Sequence, residues 1–114
     1  MHQLEIFTQD GTALRVRRFD PKADPRASLV ISPAMAVPQR FYQAIAEYFR
    51  NLGWQVWTFD YRGVGLSRRG SLRGYRASVQ DWAEQDLEAV LASTPEDLPL
   101  LVLGHSLGGQ LLGL

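Results

Sequence analysis

Six residues near the end of this sequence, Gly104-His105-Ser106-Leu107-Gly108-Gly109, have the types and spacing that a serine nucleophile needs. A serine hydroxyl attacks a carbonyl when it stands clear of its surroundings, beside donors that hold the charge arriving on the carbonyl oxygen. Glycines two residues before and two after Ser106 leave room for a strained turn that lifts its Oγ clear of a sheet. The helix expected to begin there offers unpaired backbone N–H groups to a developing oxyanion. At ordinary glycine and serine frequencies, Gly-x-Ser-x-Gly arises by chance in a chain this long with a probability of roughly 0.04, so its setting must carry the argument. That setting is a strand, a tight turn and a helix.

The elements that would position Ser106 are legible as punctuated runs. Residues 98–103 form the most apolar strand, which turns at Gly104–Gly109 into the start of a helix at 110–114. Upstream, residues 4–8 and 13–19 alternate in polarity around Asp10-Gly11, a hairpin signal because these two residues tolerate the positive φ of a tight turn. Pro21 and Pro25 make 20–27 a loop, and 28–32 is a short apolar strand stopped by Pro33. Residues 39–52 carry Phe41, Ile45, Tyr48, Phe49 and Leu52 at intervals of 3 and 4, one apolar stripe on a helix ended by Gly53. A strand follows at 54–59. A second helix is expected at 78–93, with Ser78 and Asp81 as a capping box and Val79, Ala83, Leu87, Val90 and Leu91 facing a core. Alternating strands and helices predict an α/β layered sheet, parallel after its opening hairpin.

Composition narrows the class. The chain has 114 residues, 46% of them hydrophobic, with 12 basic and 12 acidic side chains and no block of like charge at either end. Neutrality gives no electrostatic reason to expect nucleic acid or an acidic membrane surface as partner. Absence of cysteine excludes disulfides, thiolate metal sites and a cysteine nucleophile. The N-terminus lacks a basic region followed by an apolar stretch, and no run approaches the ~18 apolar residues of a membrane span, so a cytoplasmic chain is expected. Paired metal ligands, a phosphate loop and a zinc-protease signature are all missing.

Two stretches carry a family resemblance. One is GHSLGG; the other is Asp60-Tyr61-Arg62-Gly63-Val64-Gly65-Leu66-Ser67, similar to an Asp-x-Arg-Gly-x-Gly-x-Ser segment after a fourth strand. With the order of elements, they make the chain resemble, over essentially all its residues, the N-terminal half of an α/β-hydrolase fold serine hydrolase. Residues 32–42 also resemble a little-described branch of predicted hydrolases. The resemblance implies a mostly parallel central sheet flanked by helices and opening with an antiparallel hairpin. It implies that Ser106 is the nucleophile and that Gly104 and Gly108 are the elbow glycines. Leu107 N–H would be one oxyanion donor and Met35 N–H the other, with Pro33-Ala34 standing where the family commonly has a His-Gly pair. The substrate would be a small-molecule ester, thioester or amide, with no cofactor and no metal.

In that family the triad runs Ser, then Asp or Glu, then His, and the residues after Ser106 contain neither an acid nor a histidine. His2 and His105 are the only histidines, and Asp60 and Asp86 precede the serine. The chain is therefore expected to be a single incomplete domain, 1–114, without the C-terminal strands, cap, triad acid and His. Two other functions fit: a non-catalytic half-domain or truncated remnant acting through a partner, and an acyltransferase on the same fold. An incomplete sheet would leave the strand before the elbow with an open apolar edge, and the chain alone poorly soluble.

The remaining features have plainer readings. Asp60, Arg62, Gly63 and Gly65 shape a loop more often than they touch substrate. Five arginines from Arg62 to Arg76 precede six acids from Asp81 to Asp97. These runs read as mutual neutralisation of a loop and a helix, against a basic rim at Arg68 and Arg69 for anionic substrates such as acyl-CoA. Trp54, Trp57, Trp82, Phe41, Tyr42, Tyr48 and Phe49 are expected in the core, His105 as a packed elbow residue, and Met35 either in loop packing or at a pocket mouth.

Overall fold

Asp10 and Gly11 turn the chain as expected, Gly11 at φ 85°, and pair β1 (His2–Phe7) antiparallel with β2 (Ala13–Phe19). The computed structural model describes residues 1–68 and 77–112, so Arg69, Arg73 and Arg76 lie outside the described residues. β2 runs antiparallel to β4 (Gln55–Phe59), which is parallel to β3 (Ser28–Ser32), which is parallel to β5 (Leu100–Gly104). The sheet order is β1-β2-β4-β3-β5. The three strands after the hairpin are mutually parallel, and the sheet as a whole is mixed because β2 runs against β4.

Side-chain alternation divides the core between the two sheet faces. Phe19, Leu29, Ile31 and Val56 pack on one face with Tyr42 and Ala46. These last two come from a 3₁₀ turn (Gln39–Tyr42) and the helix α1 (Gln43–Asn51) that continues it. Leu14, Val16, Val30, Trp57 and Phe59 face the other side, where Leu87 and Val90 cover them. That cover is one helical stretch in three parts: α2 (Val79–Asp81), a π-helical segment Trp82–Leu87, and α3 (Glu88–Ser93). Ser78 and Asp81 form the expected capping box. α4 (Leu107–Leu111) follows β5 and buries Leu111 in the same cluster.

Three expectations about buried faces need correction. α1 docks through Tyr42 and Ala46, with Phe49 partly buried, while Phe41, Ile45, Tyr48 and Leu52 are exposed. Two apolar stripes overlap on this helix. The inner one wins because Ala46 is small enough for close approach and the Tyr42 hydroxyl finds polar partners inside. Phe41, at 63% exposure, and Tyr48 are consequently outside the core. Val79 is also exposed, one turn before the helix reaches the sheet. Among the described residues no helix is long and apolar enough to cross a membrane, and no group of three or more His, Asp or Glu could hold a metal ion.

Candidate active site

β5 ends at Gly104, α4 starts at Leu107, and the two residues that join them are His105 and Ser106, the serine at φ 54° and ψ −116°. Ser106 and Ala36 are the only non-glycine residues with positive φ among those described. Such a conformation costs about 1–3 kcal/mol and persists only where the surroundings impose it. Here the imposition is visible. His105 N–H donates to Ser32 O at 3.1 Å, carrying the β3–β5 ladder up to the serine, and Gly109 N–H donates back to Ser106 O at 3.0 Å. A Cβ on Gly104 would lie 2.4 Å from Gly109 Cα, and one on Gly108 only 1.9 Å from the Ser32 carbonyl oxygen. The helix can fold back over β5 and β3 only because both positions lack side chains. Gly109 is different, with its nearest neighbour at 3.6 Å.

Leu107 opens α4, so its amide has no acceptor within the helix. Met35 sits in the turn after β3, closed by Val37 N–H donating to Ala34 O at 3.3 Å, with Ala36 at φ 57°. Ala34 N–H is taken by Tyr42 Oη at 2.8 Å, whereas none of the described groups accepts from Met35 N–H. The Met35 side chain is exposed, which rules against loop packing as its role.

The two histidines are placed very differently. His105 is exposed by area yet engaged: Nδ1 lies 3.0 Å from Tyr42 Oη, and the ring stacks on Phe41 at 6.3 Å. His2 is on β1, at the opposite edge of the sheet from β5, with Asp20 at 3.3 Å. Four strand spacings separate those edges, roughly 19 Å, so His2 cannot reach Ser106.

The carboxylates upstream of Ser106 are committed to the scaffold. Asp60 accepts from Gln39 N–H at 2.8 Å, Gln39 Nε2 at 2.9 Å and Leu66 N–H at 3.0 Å. Gly65, at φ 49°, leaves the space this carboxylate fills, since a Cβ there would lie 2.8 Å from it. Ser67 Oγ donates to Asp60 O at 2.7 Å and accepts from Arg15 N–H at 2.9 Å. Arg62 donates to Asp86 through its backbone N–H at 2.8 Å and its Nε at 2.9 Å, and to Asp10 at 2.8 and 3.1 Å. Burial pulls the Arg62 guanidinium down, but the hydrogen bonds it donates to Asp10 and Asp86 outweigh it and hold the group above its ordinary range. Burial pushes the Asp86 carboxyl up against the pull of Arg62, and the Arg62 hydrogen bonds hold the Asp10 carboxyl well below the usual carboxylate range. The expected neutralisation between loop and helix is thus present at Arg62 and Asp86, and the 60–67 stretch is a structural knot.

A second knot ties the elbow to the turn after β3. Ser32 Oγ lies 3.0 Å from the Gly108 carbonyl oxygen and 3.0 Å from Tyr61 Oη, and Tyr61 Oη donates to Pro33 O at 3.0 Å. Burial pushes the Tyr61 phenol up, so it remains a donor, and its ring stacks on Trp82 at 4.8 Å.

With this geometry in place, comparison with known proteins is decisive. The profile of the family described as serine aminopeptidase, S33, matches residues 23–112. The chain belongs to that α/β-hydrolase family. The S33-family chain is 34% identical over 94 residues to a monoacylglycerol lipase of Mycolicibacterium smegmatis, covering 81% of this chain and 33% of that protein. It is 28% identical over 108 residues to the monoglyceride lipase of Mus musculus, covering 93% of this chain and 35% of the relative. Its fold superposes on mouse alpha/beta hydrolase domain-containing protein 10 with a TM-score of 0.78 at 24% identity, covering 98% of this chain and 42% of that one. The chain thus spans about a third of the length of these curated relatives.

Sequence reasoning missed Tyr42, Tyr61 and Ser32 as parts of the site, and Gln39 as the partner of Asp60. Tyr42 meets a backbone amide and a histidine far along the chain, and no spacing signals such a contact. Gln39, 2% exposed, stands where a helix-start polar residue normally faces water.

Proposed function

We propose that the protein carrying this chain is a serine hydrolase that cleaves an ester, thioester or amide through an acyl-enzyme on Ser106. The observation that carries this reading is the backbone of Ser106, strained to φ 54° between β5 and α4 and flanked by two glycines that cannot carry side chains. Ser106 Oγ bonds to the carbonyl carbon as its proton passes to a base. The carbonyl electrons move onto oxygen, and Leu107 and Met35 amides receive the charge. The C–O, C–S or C–N bond then breaks, the leaving group takes the proton, and water reverses the sequence to release the acid. Base and acid come from outside these 114 residues, because His105 is turned to Tyr42, His2 is across the sheet, and Asp60 and Asp86 are tied down. The relatives named monoacylglycerol and monoglyceride lipases make a glycerol monoester the first substrate to try.

The test uses the full-length protein. Fluorophosphonate should label Ser106, and Ser106→Ala should abolish labelling and turnover of a monoacylglycerol while leaving the fold intact. Turnover retained in Ser106→Ala overturns the assignment. The open apolar edge of β5 supports a second reading, a half-domain completed by another polypeptide; an intact protein of 12.8 kDa with an unreactive Ser106 would favour it.

A further inference from the structure

Tyr42 is buried beneath the turn after β3, and its hydroxyl has two partners from distant parts of the chain: Ala34 N–H at 2.8 Å and His105 Nδ1 at 3.0 Å. An amide can only donate, so the phenolic oxygen accepts from Ala34. Its hydrogen and its second lone pair remain for His105 Nδ1, which can be held across this contact in either tautomer. The hydroxyl therefore pins the turn that presents Met35 N–H to the residue immediately before Ser106. The backbone ladder of β3 and β5 runs up to His105 N–H and Ser32 O, and beyond it Ser32 Oγ donates to the Gly108 carbonyl. On the α1 side of the sheet the Tyr42 hydroxyl continues the connection where the ladder stops.

We propose that Tyr42 is a positioning residue that sets the spacing between the two oxyanion donors, Leu107 N–H and Met35 N–H. The inference rests on the reading of Ser106 as nucleophile. Removing the hydroxyl leaves Ala34 N–H buried without an acceptor, and the turn relaxes to recover one. The neighbouring Met35 amide moves with it. Charge stabilisation at the carbonyl oxygen is steep in donor geometry, whereas binding of the uncharged acyl group is not. Loss of the hydroxyl therefore acts on the chemical step and spares substrate binding.

The experiment is Tyr42→Phe in the full-length protein, which keeps the ring. The expected kcat on a monoacylglycerol is roughly 10- to 100-fold lower, below the roughly 10²- to 10³-fold loss from deleting an oxyanion donor outright. KM should change by less than about twofold, and affinity for a trifluoromethyl ketone, which forms a tetrahedral adduct on serine, should fall in parallel with kcat. Tyr48→Phe, on the exposed face of α1, serves as the control and should match wild type. Unchanged kcat and ketone affinity in Tyr42→Phe, or a loss that only follows the fraction of unfolded protein, overturns the proposal. His105→Ala breaks the same bridge from the elbow side if Tyr42→Phe does not fold. It should give the same split between kcat and KM, and wild-type kcat there overturns the proposal equally. Failure of fluorophosphonate to label wild-type Ser106 removes the nucleophile reading and the role of Tyr42 with it. Labelled Ser106 with full activity in Tyr42→Phe removes only the latter.

Discussion

Asp86 Oδ1 lies 2.7 Å from Arg62 Nη2, with the Asp86 side chain 0% exposed and the Arg62 side chain 8% exposed. The pair fastens the loop after β4 to the π-helical segment on the far face of the sheet. Arg62 reaches on to Asp10 in the hairpin turn at 2.8 Å, so one guanidinium joins three pieces of chain.

Burial separates the two carboxylates by consequence. Breaking a buried ion pair costs about 3–5 kcal/mol because the remaining charge is stranded, whereas an exposed pair is worth about 0–1 kcal/mol. Asp86→Ala should therefore destabilise the protein severely, and Asp10→Ala, at a side chain 42% exposed, only slightly. Urea denaturation of both variants measures the contrast, and equal losses would contradict it.

Acid should act on these groups in opposite senses. Asp10 is held below its ordinary value of 3.8 by Arg62 and Thr8, so its contribution is full above that value and fades as pH falls toward its lower folded value. Asp86 is raised by burial, so its contribution is largest below its ordinary value and declines as pH rises through the raised one. Asp10→Asn should lessen the loss of stability below about pH 4, as read from melting temperature against pH. A melting profile that keeps its wild-type acid slope in Asp10→Asn would count against this assignment.

The glycines of the elbow are unequal. Gly108→Ala drives a methyl to 1.9 Å from a backbone carbonyl that cannot step aside, and should cost more than the roughly 1–3 kcal/mol of ordinary overpacking. Gly109→Ala meets nothing closer than 3.6 Å and should be neutral or gain up to about 1 kcal/mol of helix propensity. Thermal melts and fluorophosphonate labelling rank them, and a Gly108→Ala protein that labels at the wild-type rate would refute the close-approach argument.

The outer edge of β5 exposes Leu100, Leu101 and Leu103 beside an apolar hollow of about 300 Å³ shared with Phe41 and Ile45. The polypeptide 1–114 alone should self-associate, and Leu101→Lys should reduce that association by placing a charge on the open edge. Sedimentation of both is the measurement; a monodisperse wild-type chain would contradict the prediction.

Local chemistry explains which parts of this fold could be read in advance. Asp10-Gly11, Ser78 with Asp81, and the apolar run of β3 each act within a few residues, and the structure has them in place. The docking face of α1 was misread because spacing identifies an amphipathic helix without ranking two overlapping stripes, and the stripe with larger side chains lost to the one containing Ala46. No local feature announced the π-helical turns of Trp82–Leu87, which form where Trp82 stacks on Tyr61 and Asp86 meets Arg62. At the elbow, glycine spacing was legible because the crowding is local. The hydroxyls of Tyr42, Tyr61 and Ser32 were not, since their partners come from other strands.

The pairing of β3 with β5 joins Ser28 to Leu100, residues far apart in the chain, whereas the β1–β2 hairpin closes over a short turn. Closing the larger loop costs more chain entropy, so the hairpin is expected to form early and the β3–β5 ladder late in folding. The strained backbone of Ser106 depends on that late step, because Ser32 supplies the carbonyl that holds His105. A folding intermediate with most of its helices but no β5 pairing would carry Ser106 in a relaxed, unreactive turn. Labelling by fluorophosphonate during refolding would then time the final assembly of the sheet, after circular dichroism has already recovered.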